Sequence, residues 1–328
     1  MRFRWLLSLV AAFALTAYLG IWACNLLLRS PPEKKALPEP PFAAVEGSEA
    51  PFVPLVEPSI APMDRSPDVL LSSATVEPGG YLIVRVVGAK DGLPISLQNP
   101  FGDSPRLFDR GDGQAALIPV SYSVAPGDYL LLATDGAFRK ELPIRVVEKI
   151  FPEQKVLIDE SIVSATVESG SANDEYAQKV QPLKLDAIDH PLWEGPFALP
   201  IRAAYEVTSE FGLLRTVNGK PADRHGGIDL ACARGTPVGA ANAGRVRFAE
   251  QIALTGNTVM SEHGLGLKTW YYHMDSLAVS AGDPVEKGQT LGTVGSTGFS
   301  TGPHLHFAAS IYKVYINPWM LLEAAPEI

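Results

Sequence analysis

The longest apolar run comes first. From Trp5 to Leu28 no charge interrupts WLLSLVAAFALTAYLGIWACNLLL, 24 residues preceded by Arg2 and Arg4 and followed by Arg29. As a helix at about 1.5 Å per residue it reaches roughly 36 Å, enough for a bilayer core of about 30 Å with some tilt. The pattern predicts a transmembrane signal anchor over 1–29. A cleaved secretory peptide has a shorter apolar core, about 7–15 residues, and a small-x-small cleavage site. Ala23-Cys24 resembles a lipoprotein cleavage box, but Trp22 fits one poorly. Basic residues on both flanks orient the segment only weakly. Residues 30–67 are rich in Pro, Ala and Glu, which cannot build a core and predict an extended linker.

From 68 to 148 the pattern shortens. YLIVRVV, AALIPVSYSV, DYLLLAT and ELPIRVV are β-rich runs separated by the turn signals EPGG, RGDG, APGD and TDG. Strands at this spacing predict a small β-sandwich-like spacer domain. It holds no cluster of His, Cys or acids. Residues 149–206 read as a connector, in which DEYAQKVQPLK (Asp174 to Lys184) predicts a short helix interrupted by Pro182. His190, in DHPLWEG, reads as a solvated loop residue. The last segment, 207–328, alternates short strand-like runs with glycine-rich turns and predicts a second β domain.

Composition narrows the classes. A chain of 328 residues with 46% apolar and 19% charged residues is long enough for about two cored domains. Its net charge of −9 excludes the basic face that a nucleic-acid binder needs. The two cysteines, Cys24 and Cys232, exclude a cysteine-rich zinc module. Cys232, at an odd offset from Asp229, reads as a small apolar filler.

The chemistry sits in the last domain, which carries four of the six histidines in catalytic-looking settings. RHGGIDL supplies His225 and Asp229, TWYYHMD supplies His273, and TGPHLHF supplies His304 and His306. Strand side chains alternate, so His304 and His306 share a face with Leu305 opposite. Asp229, four residues after His225, turns the same way in an extended chain, and Gly226 and Gly227 disfavour a helix there. By the same alternation Tyr271 shares a face with His273. Three strands can thus bring His225, Asp229, His273, His304 and His306 into one groove.

A catalytic zinc site takes about three such ligands and leaves a position for water, whose pKa falls from about 15.7 toward about 7. Five candidates exceed three ligands, and the surplus imidazoles suit proton transfer and oxyanion stabilisation. Ligand type alone also admits copper or iron. Spacing leaves open which of His304 and His306 holds the metal. His263, in SEHGLGL, reads as part of a turn. No HExxH is present.

These residues resemble a known family. SEFGLLR, HGGIDL, GTPVGAANAGRV, GNTV, TWYYHMD, VEKGQTLGTVGSTGFSTGPHLHF and the closing INP are similar, in order, to the M23 metallopeptidases. Those are the lysostaphin- and LytM-type peptidoglycan endopeptidases. The resemblance covers about Ser209 to Pro318. It implies a mostly β fold, in which an antiparallel metallopeptidase domain with a substrate groove follows the sandwich and the N-terminal helix. It implies zinc held by His225, Asp229 and His306, His304 as general base, and His273 as the second catalytic histidine. Arg215 and Tyr271 are expected to touch substrate, and Ser300 and Thr301 to shape the groove wall. The implied reaction is cleavage of a peptide bond in the stem or cross-bridge of peptidoglycan. The expected location is the cell envelope, membrane-anchored with the catalytic domain extracytoplasmic, or secreted if the N-terminal segment is cleaved. Envelope proteins are candidate partners.

Two other readings exist. A catalytically silent LytM-type activator of another wall hydrolase would have lost ligands, whereas all five positions are filled here. VSAGDPVEKGQTLGTVGS also resembles the hairpin of lipoyl and biotinyl carriers, but neither Lys268 nor Lys287 occupies the tight turn that a carrier modifies.

Overall fold

The computed structural model describes residues 67–88, 94–111 and 113–328. The expected membrane anchor (1–29) and nearly all of the linker (30–67) lie outside them. Among the described residues no helix is long and apolar enough to cross a membrane.

Alternation builds the first half. One four-stranded sheet runs β1 (Asp68–Leu71), β3 (Tyr81–Val87), β6 (Gly113–Pro119), β5 (Phe108–Arg110). The other runs β2 (Thr75–Val76), β8 (Arg139–Val146), β7 (Gly127–Thr134), β4 (Ser96–Gln98). In β8 the buried positions are Leu142, Ile144 and Val146, every second residue, and they share a core with Leu82, Val84 and Val86 of β3. Ile83, Leu117 and Phe108 point the other way and are buried too, because they join the core of the second half. The first sheet is therefore covered on both faces.

The connector begins with β9 (Glu153–Val156) and continues through α1 (Glu160–Ala165), α2 (Gly170–Lys179) and α3 (Gln181–Leu185). Side chains stop the frayed ends: Asp159 accepts from the Ser161 amide and Ser169 from the Ala172 amide. The helix expected from Asp174 begins earlier, at Gly170. Pro182 falls in the first turn of α3, where its missing N–H costs nothing.

The remaining strands are β10 (Glu206–Ser209), β11 (Leu214–Val217), β12 (Lys220–Pro221), β13 (Gly227–Ala231), β14 (Pro237–Gly239), β15 (Gly244–Ile252), β16 (Gly256–Gly264), β17 (Leu267–Leu277), β18 (Pro284–Val285), β19 (Thr290–Val294), β20 (His304–Ile311) and β21 (Val314–Ile316), followed by α4 (Pro318–Glu323). Most join one ten-stranded sheet whose main path is β10-β13-β20-β17-β16-β15-β18. Strand β9 instead pairs parallel to β11 in a small sheet with β12.

Two features of the large sheet position the site. Strand β20 lies between β13 and β17, and its register sets His306 beside Asp229 on one side and Tyr272 on the other. The opposite face of the sheet is core: Ile228, Leu230, Leu305 and Phe307 are essentially inaccessible.

Candidate metal centre and groove

His225, Asp229 and His306 converge. His225 Nε2 lies 3.0 Å from Asp229 Oδ1 and 2.9 Å from His306 Nδ1, and His306 Nδ1 lies 2.8 Å from the same carboxylate oxygen. All three residues are buried. The second imidazole nitrogen of His225 is 2.8 Å from the Glu210 carbonyl. A carbonyl oxygen only accepts, so the hydrogen is on Nδ1 and the Nε2 lone pair faces the centre. A lone pair, a carboxylate oxygen and a further imidazole nitrogen repel one another unless a proton or cation lies between them. Two nitrogens and one carboxylate oxygen are the donor set of a divalent metal such as zinc, so these residues fit the ion that the family resemblance implies.

Protonation favours ligation. Burial pushes His306 down to about 4, against the pull of Asp229. Burial alone would raise the Asp229 carboxyl, but the imidazoles of His225 and His306 against it outweigh that and hold it well below the usual carboxylate range. The other carboxylate oxygen, Oδ2, accepts from Arg215 at 2.8 Å, and the same guanidinium donates to Gln154 at 2.9 Å. Arg215 thus lines the groove as the orienting partner of Asp229.

His304 and His273 stand beside this triangle. His304 Nδ1 is 2.8 Å from the Gly302 carbonyl, which leaves Nε2 bare, and Nε2 lies 3.8 Å from Asp229 Oδ1. His273 Nδ1 is 2.8 Å from the Thr297 carbonyl, fixing the same tautomer. Burial, then the neighbouring His304 and His306, push His273 down to about 3, so it is neutral at ordinary pH. The two rings are 4.8 Å apart between centroids. Ser300 bonds the Gly302 carbonyl and lies 3.3 Å from His304 Nδ1, bracing the loop that holds it. Ser300 and Thr301 both line the groove.

Tyr271 does not reach the groove, which corrects the alternation argument. It is fully buried in the core, where its hydroxyl accepts from the Ala241 amide at 2.8 Å. The cause is His273, which has φ of +61°, a left-handed backbone that a regular strand does not contain. That residue resets the alternation by one. Tyr272 faces the groove instead, its ring stacked on His306 at 5.1 Å and 3°. Tyr272 was invisible to pattern reasoning because nothing marks a histidine as left-handed.

His263 is also not in a turn. It is buried within β16, with Nδ1 on the Ala243 carbonyl and Nε2 on the Thr269 hydroxyl. His190 is exposed beside Asp189, and Cys232 packs half-buried against the core.

The centre opens into a groove of about 1220 Å³. Its other wall is the connector, including Ile158, Val163, Val167 and Tyr176. The connector is tied at one end to the β11–β12 turn, where Asn218 bonds both backbone groups of Ile158 and Lys220 pairs with Glu168. At the other end Lys179 pairs with Glu250, and Glu175 accepts from the Ala253 amide.

Residues 223–318 match the family described as Peptidase family M23. The peptidoglycan DD-endopeptidase ShyC of Vibrio cholerae is 38% identical over 94 residues, which are 29% of this chain and 22% of that protein. The chain thus spans under a quarter of that relative's length. The solved catalytic domain of lysostaphin from Staphylococcus simulans is 32% identical, with 36% of this chain and 92% of that one covered and a TM-score of 0.34. A solved M23 peptidase structure from Pseudomonas aeruginosa covers 75% of this chain and 93% of its own, at 24% identity and a TM-score of 0.51. That last likeness concerns the fold and extends beyond the final domain.

Proposed function

The chain belongs to peptidase family M23 through its last domain, and from that premise we propose that it is a zinc-dependent endopeptidase acting on peptide bonds in the stem or cross-bridge of peptidoglycan, in the cell envelope. The observation that carries this reading is the triangle of His225, Asp229 and His306 with the bare Nε2 of His304 beside it. The peptidoglycan specificity comes from the family and from the name of the Vibrio relative.

In this reading His225, Asp229 and His306 hold the metal. When bound, zinc supplies Lewis acidity toward the scissile carbonyl and makes water easier to deprotonate. His304 takes the proton of the attacking water at Nε2, since its Nδ1 hydrogen is committed to Gly302. His273 presents its Nε2 to the same space. Its lone pair accepts a hydrogen bond from the attacking water and so orients it, while the proton taken by His304 passes to the leaving amine as the peptide bond breaks. Arg215 holds Asp229 in orientation as a positioning residue. The buried sheet beneath the site fixes all these groups before substrate arrives, which spares reorganisation during the reaction. A silent activator role is disfavoured by the presence of all five histidine and aspartate positions.

The test is release of peptides from purified peptidoglycan by the protein, with chelator, with zinc restored, and with His304→Ala. Expected is zinc-dependent release, lost by about 10²–10⁴-fold in the variant while zinc content is retained. His225→Ala should lose the zinc as well. Mass spectrometry of the fragments names the bond. A zinc-loaded protein that releases nothing overturns the enzymatic reading.

A further inference from the structure

Three phenols meet at the edge of the metal centre. Tyr176 of α2, Tyr272 of β17 and Tyr315 of β21 all line the groove. The Tyr315 oxygen is 3.3 Å from that of Tyr176 and 3.1 Å from that of Tyr272. Behind them lies Lys184, only 5% exposed, whose ammonium donates to the Tyr315 oxygen at 3.3 Å. The ammonium also sits over the rings of Tyr315, Tyr176 and Trp270, at 4.7, 5.2 and 5.4 Å. Among the described residues no carboxylate lies within ion-pair distance of it. A buried cation without a counter-ion is unfavourable. The aromatic faces offset only part of that.

Hydrogen counting gives the cluster a direction. Three phenols own three hydroxyl hydrogens. The two contacts short enough to be hydrogen bonds use two, and Tyr176 and Tyr272, which also face each other, share the third until a ligand takes it. With Tyr315 already accepting from Lys184, it accepts from one neighbour and donates to the other. The hydrogen left over then belongs to Tyr176 or Tyr272, and both face the groove. Lys184 polarises the chain through Tyr315, so the free hydroxyl is a strengthened donor. A bare glycine makes room for the arrangement, since a Cβ on Gly226 would lie 3.3 Å from the Tyr315 ring. The cluster adjoins the chemistry through Tyr272, whose ring stacks on His306.

We propose that Tyr176, Tyr272 and Tyr315, backed by Lys184, form a subsite for a carboxylate of the substrate peptide, beside the metal centre. The inference rests on the reading of the protein as a peptidoglycan endopeptidase, because stem peptides carry several free carboxylates. The anionic ligand completes the charge of Lys184 through the phenols, and the position of the subsite sets how far that carboxylate stands from the scissile bond. Tyr176 comes from the connector, so the connector contributes to specificity as well as to the wall.

The experiment measures equilibrium binding by calorimetry to the zinc-loaded full chain. The probes are a stem tetrapeptide with all carboxylates free and the same peptide amidated at one carboxylate at a time. The expected result is that one amidation weakens binding about tenfold, the scale of one charge-assisted hydrogen bond. Lys184→Met and Tyr176→Phe should each remove that difference while zinc content is retained. Either variant suffices if the other fails to fold. Equal binding of all amidated peptides overturns the proposal, as does discrimination that survives in both variants. Failure of the parent peptide to bind also overturns it, even where peptidoglycan hydrolysis proceeds. Discrimination that persists in a protein without hydrolysis supports the subsite and separates it from the enzymatic reading.

Discussion

A neutral imidazole sealed in a core makes stability depend on pH, and His263 is such a residue. It is fully buried, and burial pushes its pKa down to about 4 from an ordinary 6.5. The unfolded chain therefore binds a proton across that window while the folded chain does not. Its contribution is fully present above about pH 6.5 and declines as pH falls toward 4, by at most about 1.4 kcal/mol per unit. Urea melts at pH 7 and pH 5 should show wild type losing about 1–2 kcal/mol more than His263→Asn, in which nothing titrates at that position. Equal losses in the two proteins would exclude His263 as the cause. At this scale the sequence brought forward His225, Asp229 and His306, which the structure gathers at one centre, because ligand types and spacing are chemical facts. The role of His263 was hidden, since two hydrogen bonds to Ala243 and Thr269 decide it and neither is a sequence pattern.

Strand pairing decides whether the proposed ligand set assembles. Gly227 opens β13 directly against β20, and a Cβ there would stand 2.4 Å from the Phe307 carbonyl oxygen and 2.9 Å from His306 Nε2. Gly227→Ala must push the two strands apart where Asp229 faces His306. The expected cost is about 1–3 kcal/mol of stability, and zinc affinity should fall about tenfold or more as the second ligand pair separates. Gly170→Ala, at the start of α2 with nothing near its Cβ, is the control and should leave both unchanged. Zinc titration with denaturant melts checks the pair. Elements were legible where alternation is regular, as in HLH, where Leu305 is core and both histidines face the groove. They were illegible at His273, whose left-handed backbone moved Tyr272 into the site and Tyr271 out. The phenol cluster was hidden for a different reason: its members come from positions 176, 272 and 315, brought together only by the tertiary fold.

At the scale of the molecule, the sandwich and the peptidase domain share one core. Phe211 enters it just before β11, 5.8 Å from the Tyr122 ring and 6.4 Å from Phe151. Its edge fills the space over Gly79, where a Cβ would meet it at 2.4 Å. The Gly79 carbonyl in turn accepts from the Asn317 amide, next to α4. The sandwich also has its own core, centred on Val84, Ile118, Leu131 and Ile144, which does not depend on that contact. Shared burial should thus make the two halves unfold together. Phe211→Ala removes a buried ring and should cost about 3–5 kcal/mol, concentrated at this junction. In scanning calorimetry the wild type should show one transition and the variant two. The upper one should belong to the half whose core is untouched, because cooperativity between domains lasts only while their interface is worth more than the difference in their separate stabilities. A single transition merely shifted to lower temperature would mean that Ile83, Phe108 and Leu117 alone couple the halves, and that Phe211 is only one contact among equals.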